Sequence, residues 1–102
     1  MSKLNGSWLI TVHTYMGDMR ATHNYTVEGS TLTGYAIDAS NGARGEITGG
    51  VVEGARFAYD MTIKTAVGEM TNHLSGELGE DDTLRGQSSN PMGSFDFDGV
   101  RA

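Results

Sequence analysis

Five residues in this chain pair an acid, a base or a hydrogen-bonding group with a position in or beside a patterned apolar run: His23, Tyr25, Asp38, Tyr59 and Asn72. An imidazole titrates near neutral pH and can take or give a proton during a reaction, so His23 is the candidate acid/base. Asn72 and Tyr59 carry donors that could hold an oxygen on which charge develops, and Tyr25 or Asp38 could orient the imidazole. Burying such groups without partners costs roughly 1–3 kcal/mol each, against a net stability of roughly 5–15 kcal/mol for a whole domain. A few polar groups in an otherwise apolar cavity are the usual layout of a ligand site; the competing reading is a satisfied hydrogen-bond network in a plain core. Trp8, Met61, Met70, Phe95 and Phe97 would supply the apolar walls, the methionines suiting a pocket and a core equally.

The elements that must position these side chains are strands. Trp8, Ile10 and Val12 alternate with polar residues over Gly6 to Thr14, and Phe95 and Phe97 do so between Met92 and Arg101, the period of a half-buried strand. Tyr15 to Met19 reads as a turn, after which Arg20 to Glu28 places Ala21, His23, Tyr25 and Val27 on one face. Glu28-Gly29-Ser30 is a hairpin signal. In Thr31 to Asp38, Leu32 and Ala36 oppose Tyr35 and Ile37, and either face could be the inner one; Asp38 faces inward only with Leu32 and Ala36. Ser40-Asn41-Gly42 is turn chemistry. Ile47 and Val52 fall on opposite faces of a regular strand, and Gly49-Gly50 between them predicts a bulge that restores both to one side. Phe57, Tyr59, Met61 and Ile63 form the cleanest inward row, over Arg56 to Lys64. Past the turn at Ala66-Val67-Gly68, Met70, Asn72, Leu74 and Gly76 share a face. Glu80-Asp81-Asp82 marks a solvated hairpin tip before Thr83 to Ser89, and Asn90-Pro91 precedes the last strand.

Eight strands at this rhythm predict an all-β, up-and-down antiparallel barrel. The two strongly patterned terminal strands pair to close it, removing the exposed edges that a glycine-rich β chain could not tolerate. A barrel of this size holds side chains or one small ligand, so function is expected inside. A five-stranded OB-like barrel is the structural rival, but it needs fewer, longer strands than the turn signals allow.

The 102 residues make one domain. With 7 basic and 13 acidic residues the net charge is -6, opposite to the footprint of a nucleic-acid binder; solubility accounts for it. No cysteine is present, so disulfides and thiolate metal sites are excluded. The first residues lack an apolar signal core and no run has the length of a membrane span, which makes the expectation cytoplasmic, without a membrane partner. His13 and His73 oppose the inward rows that would bring them to His23, so no metal site is expected. Asp96-Phe97-Asp98-Gly99 lacks the ligand spacing of a calcium loop. Asn24-Tyr25-Thr26 matches a glycosylation acceptor that has no meaning without secretion. Neither a phosphate-binding glycine loop nor a nucleophile elbow occurs, and no cofactor is implied.

Gly6-Ser7-Trp8, Met16-Gly17, Gly29 with Leu32 and Gly34, Asp82 with Leu84 and Gly86, and Phe95-Asp96-Phe97-Asp98-Gly99-Val100-Arg101 together resemble a family of small bacterial calycin-like, lipocalin-like barrel domains. Its members start with a Gly-x-Trp strand and close with Phe-x-Phe-x-Gly-x-Arg. The resemblance covers nearly the whole chain and implies a barrel with a small-molecule lumen, with no shared active site to carry over. The chain departs from the pattern at Tyr15, where relatives often have proline, and at His23 and Tyr25 on a face expected to be apolar.

The function expected on these grounds is a cofactor-independent lyase, isomerase or cyclase in which His23 moves a proton on a small, largely apolar or aromatic substrate. The alternatives are a non-catalytic carrier or sensor for the same sort of ligand, and an interaction module working through its outer face. Leu9, Tyr35 and Ile37 fall on faces that alternation turns outward in at least one register, which predicts a homodimer.

Overall fold

The computed structural model describes residues 3–15, 17–40, 42–65, 68–91 and 93–102, and the side chains of all of these except 64 and 65. Met16, Asn41, Ala66, Val67 and Met92, which the turn and strand readings included, lie outside the described residues. Eight strands follow one another: β1 (Gly6–Thr14), β2 (Gly17–Glu28), β3 (Thr31–Asp38), β4 (Arg44–Glu53), β5 (Arg56–Thr65), β6 (Gly68–Leu78), β7 (Leu84–Asn90) and β8 (Gly93–Arg101). Each pairs antiparallel with the next, and β1 with β8, in one closed up-and-down barrel. At the seam Trp8 lies opposite Arg101 and Val12 opposite Phe97.

The alternation decides what fills the interior. Trp8, Ile10, Tyr25, Leu32, Ala36, Ile47, Phe57, Tyr59, Met61, Leu74, Leu84 and Phe97 all come from inward rows and form one core, joined by Leu4 from before β1. In β3 the inward face is that of Leu32 and Ala36, leaving Tyr35 and Ile37 half-buried on the outside, where the Arg44 guanidinium covers the Tyr35 ring at 4.1 Å. The register between β4 and β5 slips between Thr48 and Val51, with Gly49 at φ +60°. That one extra residue puts Ile47 and Val52 on the same side. β2 begins at Gly17, so Asp18 and Met19 belong to the strand and not to the preceding turn.

One inward glycine is fixed by its neighbours. A Cβ on Gly34 would stand 1.8 Å from the Asn24 carbonyl oxygen, and its φ is +147°. Only glycine lets β3 approach β2 this closely.

The barrel's two ends differ. At one, Leu4 and Trp8 are almost wholly buried, the Trp8 Nε1–H donates to the Leu4 carbonyl at 2.9 Å, and the Arg101 guanidinium lies 3.9 Å from the indole centroid. Arg101 also donates to the carbonyls of Asn5, at 2.8 Å, and Lys3. This end is plugged. The other, where the β1–β2, β3–β4, β5–β6 and β7–β8 connections lie, has inward residues that are only half-buried or exposed: Val12, Ala21, Asp38, Ile63, Asn72, Asn90 and Phe95, with Met19 57% and Met70 37% exposed.

Candidate functional site

His23 and Tyr25, two residues apart on β2, face the same way, and Tyr59 reaches them from β5, three strands around the wall. The Tyr59 hydroxyl is 2.9 Å from His23 Nδ1 and 2.6 Å from the Tyr25 hydroxyl. The three rings meet edge to face at centroid distances of 5.5 to 6.1 Å, and Phe57 stacks beside Tyr59. Tyr hydroxyls donate and accept, and a neutral imidazole does both through its two nitrogens. The chain His23–Tyr59–Tyr25 can therefore run in either direction: Tyr25 to Tyr59 to Nδ1, or the reverse.

Burial sets the charge of all three. Desolvation lowers the His23 pKa from 6.5 to about 4, because the imidazolium would leave water for a nearly dry core. The same cause pushes both tyrosines upward; for Tyr59 the neighbouring Tyr25 adds to it, while for Tyr25 the Tyr59 bond pulls modestly the other way. At neutral pH the group is an uncharged, hydrogen-bonded chain. Among the described residues every buried side-chain nitrogen and oxygen has a hydrogen-bond partner.

Other residues proposed for this site sit elsewhere. Asp38 is turned to its own hairpin, Oδ1 accepting from the Ser40 N–H at 2.7 Å and the Ser40 hydroxyl at 2.6 Å, so it does not orient the imidazole; Tyr59 does. Asn72 Oδ1 accepts from Asn90 Nδ2 at 2.8 Å, one inward position nearer the open end than the Leu74 that pairs with Tyr59. Trp8 belongs to the plug. Phe97 lies across the Gly76–Gly86 pair, where an added Cβ would come within 3.1 and 2.8 Å of its ring.

Met61, Met70 and Phe95 do line the open end, together with residues that the inward-row reasoning missed. Met19 is on the inward row of β2 opposite Val12, and Tyr15, 70% exposed, leans over Phe95 at a ring distance of 6.0 Å. Asn90 supplies the second amide. Extending β2 back to Gly17 would have revealed Met19; the Asn72–Asn90 pair depends on the β6–β7 register, which no local pattern announces. Met61 forms the floor. It stands one inward position above Tyr59, its thioether seated where a Cβ on Gly45 would come within 2.6 Å of the sulfur.

The remaining histidines face outward. His13 lies between Asp18 and Asp98, and His73 Nδ1 contacts Asp60 at 2.5 Å. Among the described residues no group of three or more His, Cys, Asp or Glu side chains could hold a metal ion, and no helix is long and apolar enough to cross a membrane. Open grooves run along the outer wall, one between His13, Arg85 and Asp98, another floored by Ala58 and Ser75 between Arg56 and Arg85.

No family model matches the chain, and no curated protein or solved structure matches it.

Proposed function

We propose that the barrel binds one small, largely apolar or aromatic molecule at its open end, as a carrier or sensor. The observation that carries this reading is the asymmetry of the ends. One is sealed by Leu4, Trp8 and Arg101, whereas the other keeps Tyr15, Met19, Met70 and Phe95 at least partly in water around the Asn72–Asn90 amide pair. Exposed apolar groups around a few convergent polar atoms are what a ligand site needs. The molecule rests on Met61, packs its apolar faces against the methionines and Phe95, and exchanges hydrogen bonds with the amides.

Amide chemical-shift mapping against a set of neutral aromatic fragments tests this. Shifts clustered at Met19, Met70, Asn72 and Phe95 support it, and are lost in Phe95→Asp; shifts confined to the outer wall, or none at all, reject it.

A catalytic reading, a lyase, isomerase or cyclase using His23, draws on that hydrogen-bonded chain. A desolvated, neutral imidazole held at Nδ1 by Tyr59 could pass protons to a substrate that displaces Met61, a contribution of typically 10² to 10⁴ in rate. Tyr59, whose single proton goes to His23 or to Tyr25, then serves as the orienting group. Turnover that survives His23→Gln rejects this reading and leaves the carrier.

The closed eight-stranded topology is compatible with the calycin-like family that the chain's motifs resemble, and such a family reading agrees with a ligand at the barrel mouth. A second copy of the chain on the outer face of Leu9, Ile37 and Val100 completes the reading, with light scattering as its check; a monomer at micromolar concentration rejects it.

A further inference from the structure

His13 stands on the outer face of β1, and its ring joins three strands. Nδ1 is 2.9 Å from Asp18 Oδ1 on β2, and Nε2 is 2.7 Å from Asp98 Oδ2 on β8. An ionised carboxylate can only accept. Both contacts are hydrogen bonds only if both ring nitrogens carry a proton, that is, if His13 is an imidazolium. A neutral ring would turn one lone pair toward a carboxylate, and that contact becomes repulsive.

We infer that His13 is a proton-operated clasp, closing the β1–β2 hairpin onto β8 when charged and loosening it when neutral, and so regulating access to the open end. This rests on the binding reading above. The connection runs through the hairpin. Tyr15 follows His13 by two residues and covers Phe95 on β8, Asp18 immediately precedes the rim residue Met19, and the Thr14 hydroxyl ties the turn to the Gly17 carbonyl at 2.6 Å. Freeing Asp98 from His13 releases the same edge on which Tyr15 leans.

The surrounding charges favour the imidazolium. On β8, Asp96 lines the same groove, as does Arg85 from β7, and Arg20 is the next outward residue of β2 after Asp18. Carboxylates outnumber guanidinium groups at the ring, and the bonds to Asp98 and then Asp18 raise the His13 pKa above 6.5. The clasp is therefore shut below that value and opens as pH rises through the raised one. Because the ring is solvent-exposed, salt weakens it.

Two measurements test the inference. In ¹H–¹⁵N spectra of the His13 side chain, both nitrogens should be protonated at about pH 6 and the midpoint should lie above the ordinary value, falling in Asp98→Asn; a midpoint at or below the ordinary value, unmoved by Asp98→Asn, overturns the clasp. In stopped-flow mixing with the neutral dye Nile red, the association rate should rise about two- to fivefold between about pH 5.5 and about pH 9, the scale of one exposed ion pair. His13→Gln should bind at the faster rate throughout; if it keeps the wild-type pH dependence, the regulation is wrong. Should Nile red fail to bind at any pH, the binding reading falls. Amide exchange at Gly17 and Asp18 then decides the clasp alone: faster opening in His13→Gln upholds it, and unchanged opening rejects it.

Discussion

Acidification from pH 7 to 4 should destabilise this barrel through one side chain, His23. Its imidazole titrates at 6.5 when exposed in the unfolded chain and at about 4 in the folded one. Between those values the unfolded state binds a proton that the folded state refuses, so stability falls as pH falls. At ~1.4 kcal/mol for each pH unit separating the two values, the full loss is roughly 3 kcal/mol, complete once pH drops below the folded value. Urea unfolding at stepped pH measures it, and the difference between wild type and His23→Gln cancels the carboxylates that titrate in the same range. His13 does not interfere, because its raised pKa adds stability that is full below 6.5 and is lost only above it. Parallel pH profiles for the two proteins, or a His23 Cε1 resonance with a midpoint near 6.5, would refute the claim that the imidazole is desolvated.

Three further substitutions probe the frame. Tyr59→Phe leaves both His23 Nδ1 and the Tyr25 hydroxyl without the bonds they make now, which should cost roughly 2–4 kcal/mol; adding Tyr25→Phe should cost much less than it does alone, as a double-mutant cycle will read. Gly34→Ala drives a methyl into the Asn24 carbonyl and should cost more than about 4 kcal/mol or prevent folding, visible as loss of dispersed amide resonances. Arg101→Gln removes the cover from Trp8 and the bonds to Lys3 and Asn5; a thermal midpoint lowered by an amount equivalent to roughly 1–3 kcal/mol is expected, and an unchanged one would mean the plug holds without it.

The barrel was legible in the sequence because alternation is a local property and closure follows from the edges it leaves. The Gly49-Gly50 bulge was readable for the same reason: two apolar residues at the wrong parity required one extra residue between them. β3 was not decidable alone, since Tyr35 and Ile37 are as apolar as Leu32 and Ala36, and the choice is made by β2, where Gly34 admits the Asn24 backbone. At the site, parity correctly sent His23, Tyr25 and Tyr59 inward. It could not say that they would join across the barrel and leave Asn72 nearer the rim, because that depends on the shear between strands. Asp38 does share the inward row of Leu32 and Ala36, but a serine two residues on gives its carboxylate local partners. Parity turns His13 outward, and only the register of β1 with β2 and β8 reveals the two carboxylates beside it.

The seam between Trp8–Val12 and Phe97–Arg101 joins segments almost ninety positions apart in the chain, while every other strand pairs with its immediate neighbour. Seven of the eight ladders can thus zip as successive hairpins at small loop-closure cost, but the eighth waits for the whole meander to curl. During synthesis the sheet stays open, with β1 as a bare edge, until residue 101 has cleared the ribosome. In that interval the unsatisfied amides of β1 are exposed to any other nascent strand. Expression yield should then respond more to substitutions that weaken the β1–β8 ladder than to comparable changes in any one of the hairpins before it.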